Sequence, residues 1–118
     1  MLLSEESYRK IEKELAKFPA TKKRSAAIAA LTIAQDEKGW LSPEVMQEIA
    51  DYLGVPAVAI EEVATFYSMF NTRPVGKYKI AVCCNLPCEM TGSDQTAQYL
   101  KEKLNIGFGE TTPDGLFT

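Results

Sequence analysis

An α+β fold is predicted for these 118 residues, with four short helices forming a bundle over residues 1–70. A β-α-β unit and the start of a further strand follow over residues 71–118. Three observations carry that prediction. Apolar residues recur at steps of three and four through the first 70 positions, the mark of helices with one buried face. The cluster Asn71-Thr72-Arg73-Pro74-Val75-Gly76 then interrupts the pattern with turn-forming residues and marks the boundary between two regions. Beyond it, Tyr78, Ile80 and Val82 alternate with their neighbours, as side chains on one side of a strand must.

Tyr8, Ile11, Leu15 and Phe18 share one face of the first helix, whose opening turn carries Glu5 and Glu6, the sign its dipole favours, and Pro19 closes it. The run from Lys22 to about Lys38 is rich in alanine, so a second helix is expected there with neighbours lying close to its axis, stopped by Gly39 in a left-handed conformation. Ser42-Pro43-Glu44 supplies a cap, a first-turn proline and an acidic start for the third helix. Val45, Ile49, Tyr52 and Leu53 make its buried face before Gly54. Ile60, Val63, Ala64 and Tyr67 define a fourth, with Glu61 and Glu62 on its solvated side. In the second region a helix is expected from about Cys88 to Leu104, lined by Met90, Ala97, Leu100 and Leu104, and Thr111 to Thr118 reads as strand, turn, strand. The last of these strands would leave an unpaired sheet edge, so self-association through that edge is expected. A strand without a following turn or cap also suggests a chain cut short.

Composition narrows the function. A formal charge of −3, with Lys22-Lys23-Arg24 as the one basic cluster, offers no stripe of cations to meet nucleic-acid phosphates. The apolar run Ala26 to Ala34 is far short of the ~20 residues that cross a bilayer, and no basic region precedes an apolar one at the N-terminus, so neither membrane insertion nor export is expected. The chain has no histidine, which removes the usual general base and every His-containing zinc motif. No Gly-x-Gly-x-x-Gly run is present to bind a dinucleotide.

The three cysteines fall within six positions, Cys83, Cys84 and Cys88, which fits a reducing compartment better than a disulfide framework. Cys83 ends the predicted strand and Cys88 opens the next helix, where the dipole should make its thiol easier to ionise. Four intervening residues favour iron and sulfide over zinc or a redox disulfide, which more often use two. Inert burial of the thiols is the competing reading. Cys84 faces away from Cys83 on an alternating strand, into packing, and is not counted as a ligand. Elsewhere, Trp40 is expected to seal the bundle. Phe66, Tyr67, Met69 and Phe70 fit either a partner surface or the core.

The segments Ala64-Thr65-Phe66-Tyr67-Ser68-Met69-Phe70, Arg73-Pro74-Val75-Gly76-Lys77-Tyr78, Val82-Cys83-Cys84-Asn85-Leu86-Pro87-Cys88 and Gly109 to Thr118 occur in that order along the chain. Together they resemble the thioredoxin-like 2Fe-2S ferredoxin subunit family of NADH:quinone oxidoreductase, respiratory complex I. Gln35 to Leu41 is similar to the family's helical N-terminal region.

The resemblance implies that residues 71–118 are the first part of a thioredoxin-like ferredoxin domain and that Cys83 and Cys88 are two of four thiolate ligands of a 2Fe-2S cluster. Cys84 occupies a position where the family commonly carries a non-ligand. The family's second pair, two cysteines with three residues between, is not found in these 118 residues. They are therefore expected to bind no cluster and to be inactive in electron transfer on their own. The resemblance further implies an oxidoreductase component seated beside a flavin-bearing, NADH-oxidising subunit among other peripheral-arm subunits. FMN and NADH would be held by that partner, and the assembly would lie at the cytoplasmic face of the inner membrane. Related subunits serve NAD-reducing hydrogenases and formate dehydrogenases. A reading of another class is a thiol-disulfide or cluster-free interaction module on the same scaffold.

Overall fold

Ser4 starts the first helix by turning its hydroxyl onto the amide of Ser7, which supplies one of the acceptors that a helix start lacks. In the computed structural model, which describes residues 1–118, this helix is α1 (Glu5–Leu15). Ile11 is fully buried on its inner face, Tyr8 and Leu15 are half-buried, and Phe18, past the helix end, is exposed. Residues ahead of α1 are tied down by carboxylates: the amides of Leu2 and Leu3 and the Tyr8 hydroxyl donate to Glu48, while the amide of Ser4 and the hydroxyl of Ser7 donate to Glu37.

The expected helix from Lys22 begins later. Residues Ala20–Ala26 form a 3₁₀ segment broken at Lys22 (φ −120°, ψ 33°), and α2 runs over Ala27–Lys38. Its buried residues are Ala27, Ala30, Leu31 and Ala34; short side chains let neighbouring helices pack closely on it. Gly39 ends it at φ 83°, a left-handed conformation that glycine adopts without a Cβ clash.

Ser42 caps α3 (Pro43–Leu53) by accepting from the Val45 amide, with Pro43 in the first turn. Val45, Met46, Ile49, Ala50 and Leu53 are buried, and Gly54 (φ 67°) ends the helix. Helix α4 (Ala57–Phe66) buries Ala59, Ile60 and Ala64. Both α1 and α3 pack on α2, as does α4. The segment after α4 returns to α2, where the Gln35 amide group donates to the Met69 carbonyl and accepts from the Asn71 amide. Leu41 closes the unit by donating to the Asn71 carbonyl. These residues, Met1–Pro74, form the first of two units, and every buried apolar side chain of the protein lies in it, from Leu3 to Phe70.

The second unit, Val75–Thr118, corrects the predicted α+β class. It contains no sheet and no β-α-β unit; its regular elements are α5 (Leu86–Met90) and α6 (Ser93–Leu104), so the protein is all-helical with extended connections. The alternation at Tyr78, Ile80 and Val82 does produce extended backbone, and its backbone hydrogen bonds run to the short stretch 115–118. Contact between the two amounts to an isolated parallel bridge, Tyr78 with Phe117. A sheet needs successive residue pairs and a further neighbour, and so short a stretch supplies neither. The unpaired sheet edge expected to drive self-association is absent for the same reason. Thr111–Thr118 keeps the predicted turn without flanking strands: the Thr112 carbonyl accepts from the Gly115 amide, and the Thr112 amide donates to the Phe117 carbonyl. The single helix expected from Cys88 to Leu104 is two, because Gly92 at φ 105° cannot continue either.

Candidate metal centre

The extended segment ends at Cys83 and Cys84, and Asn85, with φ −69° and ψ 159°, turns the chain into α5. Pro87 occupies the first turn, where its missing N–H costs nothing, so the chain turns within a few residues and brings Cys88 back toward Cys83. Thr91 ties off this short helix by donating its hydroxyl to the carbonyls of Pro87 and Cys88.

The two predicted thiols therefore influence each other. The Asn85 amide and the Cys88 thiol both act on the ionisation of Cys83, and Cys83 on that of Cys88. Both stabilise a thiolate on Cys83: first the Asn85 amide, then the Cys88 thiol, lower its pKa. Cys88 shifts the other way, because Cys83 favours its protonated form; partial burial adds to the rise. The expectation that Cys88 would ionise more easily than a free cysteine is thus reversed. A helix of five residues has little dipole, and the neighbouring Cys83 outweighs it. Asn85 is the residue that sequence reasoning missed. Its place, directly ahead of a Pro-containing helix start and two positions after a cysteine, was the available signal.

Cys84 does not enter packing as expected. Its thiol is exposed and lines an open cavity of about 370 Å³ with Val82, Ala97 and Phe108 on the apolar side and Glu89 and Asp94 on the other. All three cysteines are free thiols.

Thiolates are the donors that iron–sulfur chemistry requires, and two of them side by side suit one iron of a two-iron cluster. The fit stops at half a set. Nowhere do three Cys, His, Asp or Glu side chains gather around a common point, whereas the two irons of such a cluster need four thiolates.

The other singled-out residues lie apart. Glu61 and Glu62 are exposed, and Glu62 pairs with Arg24 at 2.9 Å on the surface, so the basic cluster is partly neutralised within the unit. Trp40 is half-buried, Phe70 is buried, and Phe66 and Met69 stand 80% and 53% exposed, so that aromatic run divides between core and surface.

The fold is helical, and its cysteines lie where an extended segment ends and in the short helix that follows. The chain belongs to the thioredoxin-like 2Fe-2S ferredoxin family, whose signature matches residues 11–118. The chain is 42% identical over 108 residues to NADH-quinone oxidoreductase subunit 2 of Thermus thermophilus, covering 92% of this chain and 60% of that one. It is 46% identical over 103 residues to an NADH-quinone oxidoreductase subunit of Rickettsia typhi, covering 86% and 61%. Identity to the mitochondrial NADH dehydrogenase (ubiquinone) flavoprotein 2 of Dictyostelium discoideum is 40% over 116 residues, 98% of this chain and 47% of that one. The chain thus spans about half to two thirds of the length of the curated relatives it matches. No helix is long and apolar enough to cross a membrane.

Proposed function

We propose that this chain is an electron-transfer part of an NADH-quinone oxidoreductase, with Cys83 and Cys88 supplying two of the four thiolates of a 2Fe-2S cluster. The remaining two would come from polypeptide outside these 118 residues. One observation carries the reading: Cys83 and Cys88 stand at the end of an extended segment and in the next helix, in a chain whose family is the thioredoxin-like 2Fe-2S ferredoxins.

When bound, the cluster supplies a one-electron carrier. The protein's contribution is local. The Asn85 amide favours the charged form of Cys83, and the turn at Asn85-Leu86-Pro87 leads the chain into the helix that carries Cys88. Residues 71–118 carry the ligands, and residues 1–70 are a helical bundle with its own core. Flavin and NADH are assigned to a partner subunit of the peripheral arm, at the cytoplasmic face of the membrane.

The test is anaerobic reconstitution with iron and sulfide of the longest natural polypeptide that carries this sequence. A 2Fe-2S reduced-state EPR signal is expected, lost in both Cys83→Ser and Cys88→Ser and kept in Cys84→Ser. An unchanged signal in the first two variants would remove the ligand assignment.

A further inference from the structure

Helix α5, which carries Cys88, has little of its own to hold it. Its five residues leave room for a single i→i−4 bond inside the helix, none of them is buried, and Asn85 at its start makes no side-chain cap. Order has to come from the other end. There the Thr91 hydroxyl donates to the carbonyls of Pro87 at 3.2 Å and Cys88 at 3.0 Å, and the Thr91 amide donates to the same Cys88 carbonyl at 3.1 Å. Gly92, at φ 105°, then turns the chain away, so no further turn of this helix supports Cys88. Thr32, Thr65 and Thr96 make the same bond to the carbonyl four residues earlier, at 2.8, 2.7 and 3.1 Å. Those three lie in helices of 12, 10 and 12 residues, whose backbone ladders already order them.

We propose that Thr91 is a positioning residue for Cys88: its hydroxyl holds the last turn of α5 and so fixes the Cα–Cβ bond from which the Cys88 sulfur reaches a metal. The hydroxyl acts through the backbone and touches no metal itself. Its effect on metal binding rests on the proposed function, in which Cys88 is an iron ligand; the ordering of α5 does not. Removing a group that orients a ligand costs about 10- to 100-fold in metal affinity, and a hydroxyl on the ligand's carbonyl, one step further from the sulfur, belongs at the lower end. Thr91 is exposed, so replacing it opens no cavity and strands no buried group. Thr91→Val keeps the side-chain shape and a similar helix propensity while removing the hydroxyl, and Thr91→Ser retains it.

The experiment has two arms. In the metal-free 118-residue chain, hydrogen exchange is followed at the amides of Glu89 and Gly92, which donate to the carbonyls of Asn85 and Glu89. Relative to their intrinsic rates, both should exchange about fivefold faster in Thr91→Val, the opening expected from one lost hydrogen bond, and at the parent's rate in Thr91→Ser. In the second arm, the longest natural polypeptide carrying this sequence is loaded anaerobically with iron and sulfide, its iron is competed with a chelator, and its reduced EPR signal is recorded. Thr91→Val should hold iron about tenfold less tightly and shift the g-values. Thr91→Ser should match the parent, and Thr32→Val, which removes the same bond from the long helix α2, should change neither readout. Unchanged exchange in Thr91→Val, faster exchange with unchanged iron retention, or a loss that serine does not rescue would each overturn the positioning role. An EPR signal that survives Cys88→Ser would instead overturn the ligand reading, and the link from Thr91 to the metal with it, while faster exchange in Thr91→Val would still uphold the ordering of α5.

Discussion

Residues 1–74 and 75–118 are stabilised in different ways. The first unit encloses Ile11, Leu31, Leu41, Ile49, Leu53 and Ile60 almost completely, and four helices share that core. In the second, Tyr78, Leu86, Met90, Tyr99 and Phe108 all stand more than half exposed, and the one buried residue is Thr112. It is organised instead by local hydrogen bonds: the Asp114 carboxylate accepts from the Thr112 hydroxyl and the Leu116 amide, and the Gly76 amide donates to the Thr118 hydroxyl. The region that carries the thiols is therefore the one that adds least to stability, and chemistry and folding free energy reside in separate parts of the chain.

Core truncation should expose the contrast most strongly. Leu31→Ala removes a fully buried side chain on the central helix and is expected to cost about 2 to 5 kcal/mol in urea unfolding, whereas Tyr99→Ala, at a site 62% exposed, should stay within about 0.5 kcal/mol. Comparable losses at the two sites would break the division. Removing the cap with Ser42→Ala leaves the Val45 amide without its acceptor and should lower stability by about 1 kcal/mol, with no effect on thiol reactivity. A change in the alkylation rate of Cys83 would mean that the units are coupled.

Acid should weaken the first unit through Glu37. Hydrogen bonds from the Ser7 hydroxyl and the Ser4 amide, with a smaller one from the Ser4 hydroxyl, depress its pKa to about 2, against 4.5 for an unperturbed carboxylate. A depressed pKa gives a contribution that is complete above about pH 4.5 and is lost as the pH falls through about 2. Unfolding midpoints measured across that window should fall in the parent and fall less in Glu37→Gln. An equally steep fall in the variant would assign the acid sensitivity to other carboxylates.

The bundle was legible in the sequence because its signals are local and mutually consistent: Ser42-Pro43 starts a helix, Gly39 and Gly54 end two, and Ile11, Ile49 and Ile60 lie on faces marked by helical spacing. The expected sheet failed for a physical reason. Alternation at Tyr78, Ile80 and Val82 reports extended backbone, while strand pairing depends on what lies alongside, which no local pattern records. The break at Gly92 was visible as a glycine inside a helical run, but its positive φ was not. At the site, the sequence placed Cys83 at the end of an extended segment and Cys88 in a helix start, where the structure has them. It misjudged the Cys88 thiol, expected to ionise more easily than a free cysteine, because the neighbouring Cys83 pushes it the other way.

The most direct test of the thiol pair as a metal site is a cysteine footprint of the reconstituted polypeptide, by iodoacetamide labelling and peptide mass mapping before and after loading with iron and sulfide. Before loading, Cys83 should label fastest. Afterwards Cys83 and Cys88 should both be protected while exposed Cys84 still reacts. Protection of Cys84 together with continued labelling of Cys83 or Cys88 would contradict the account.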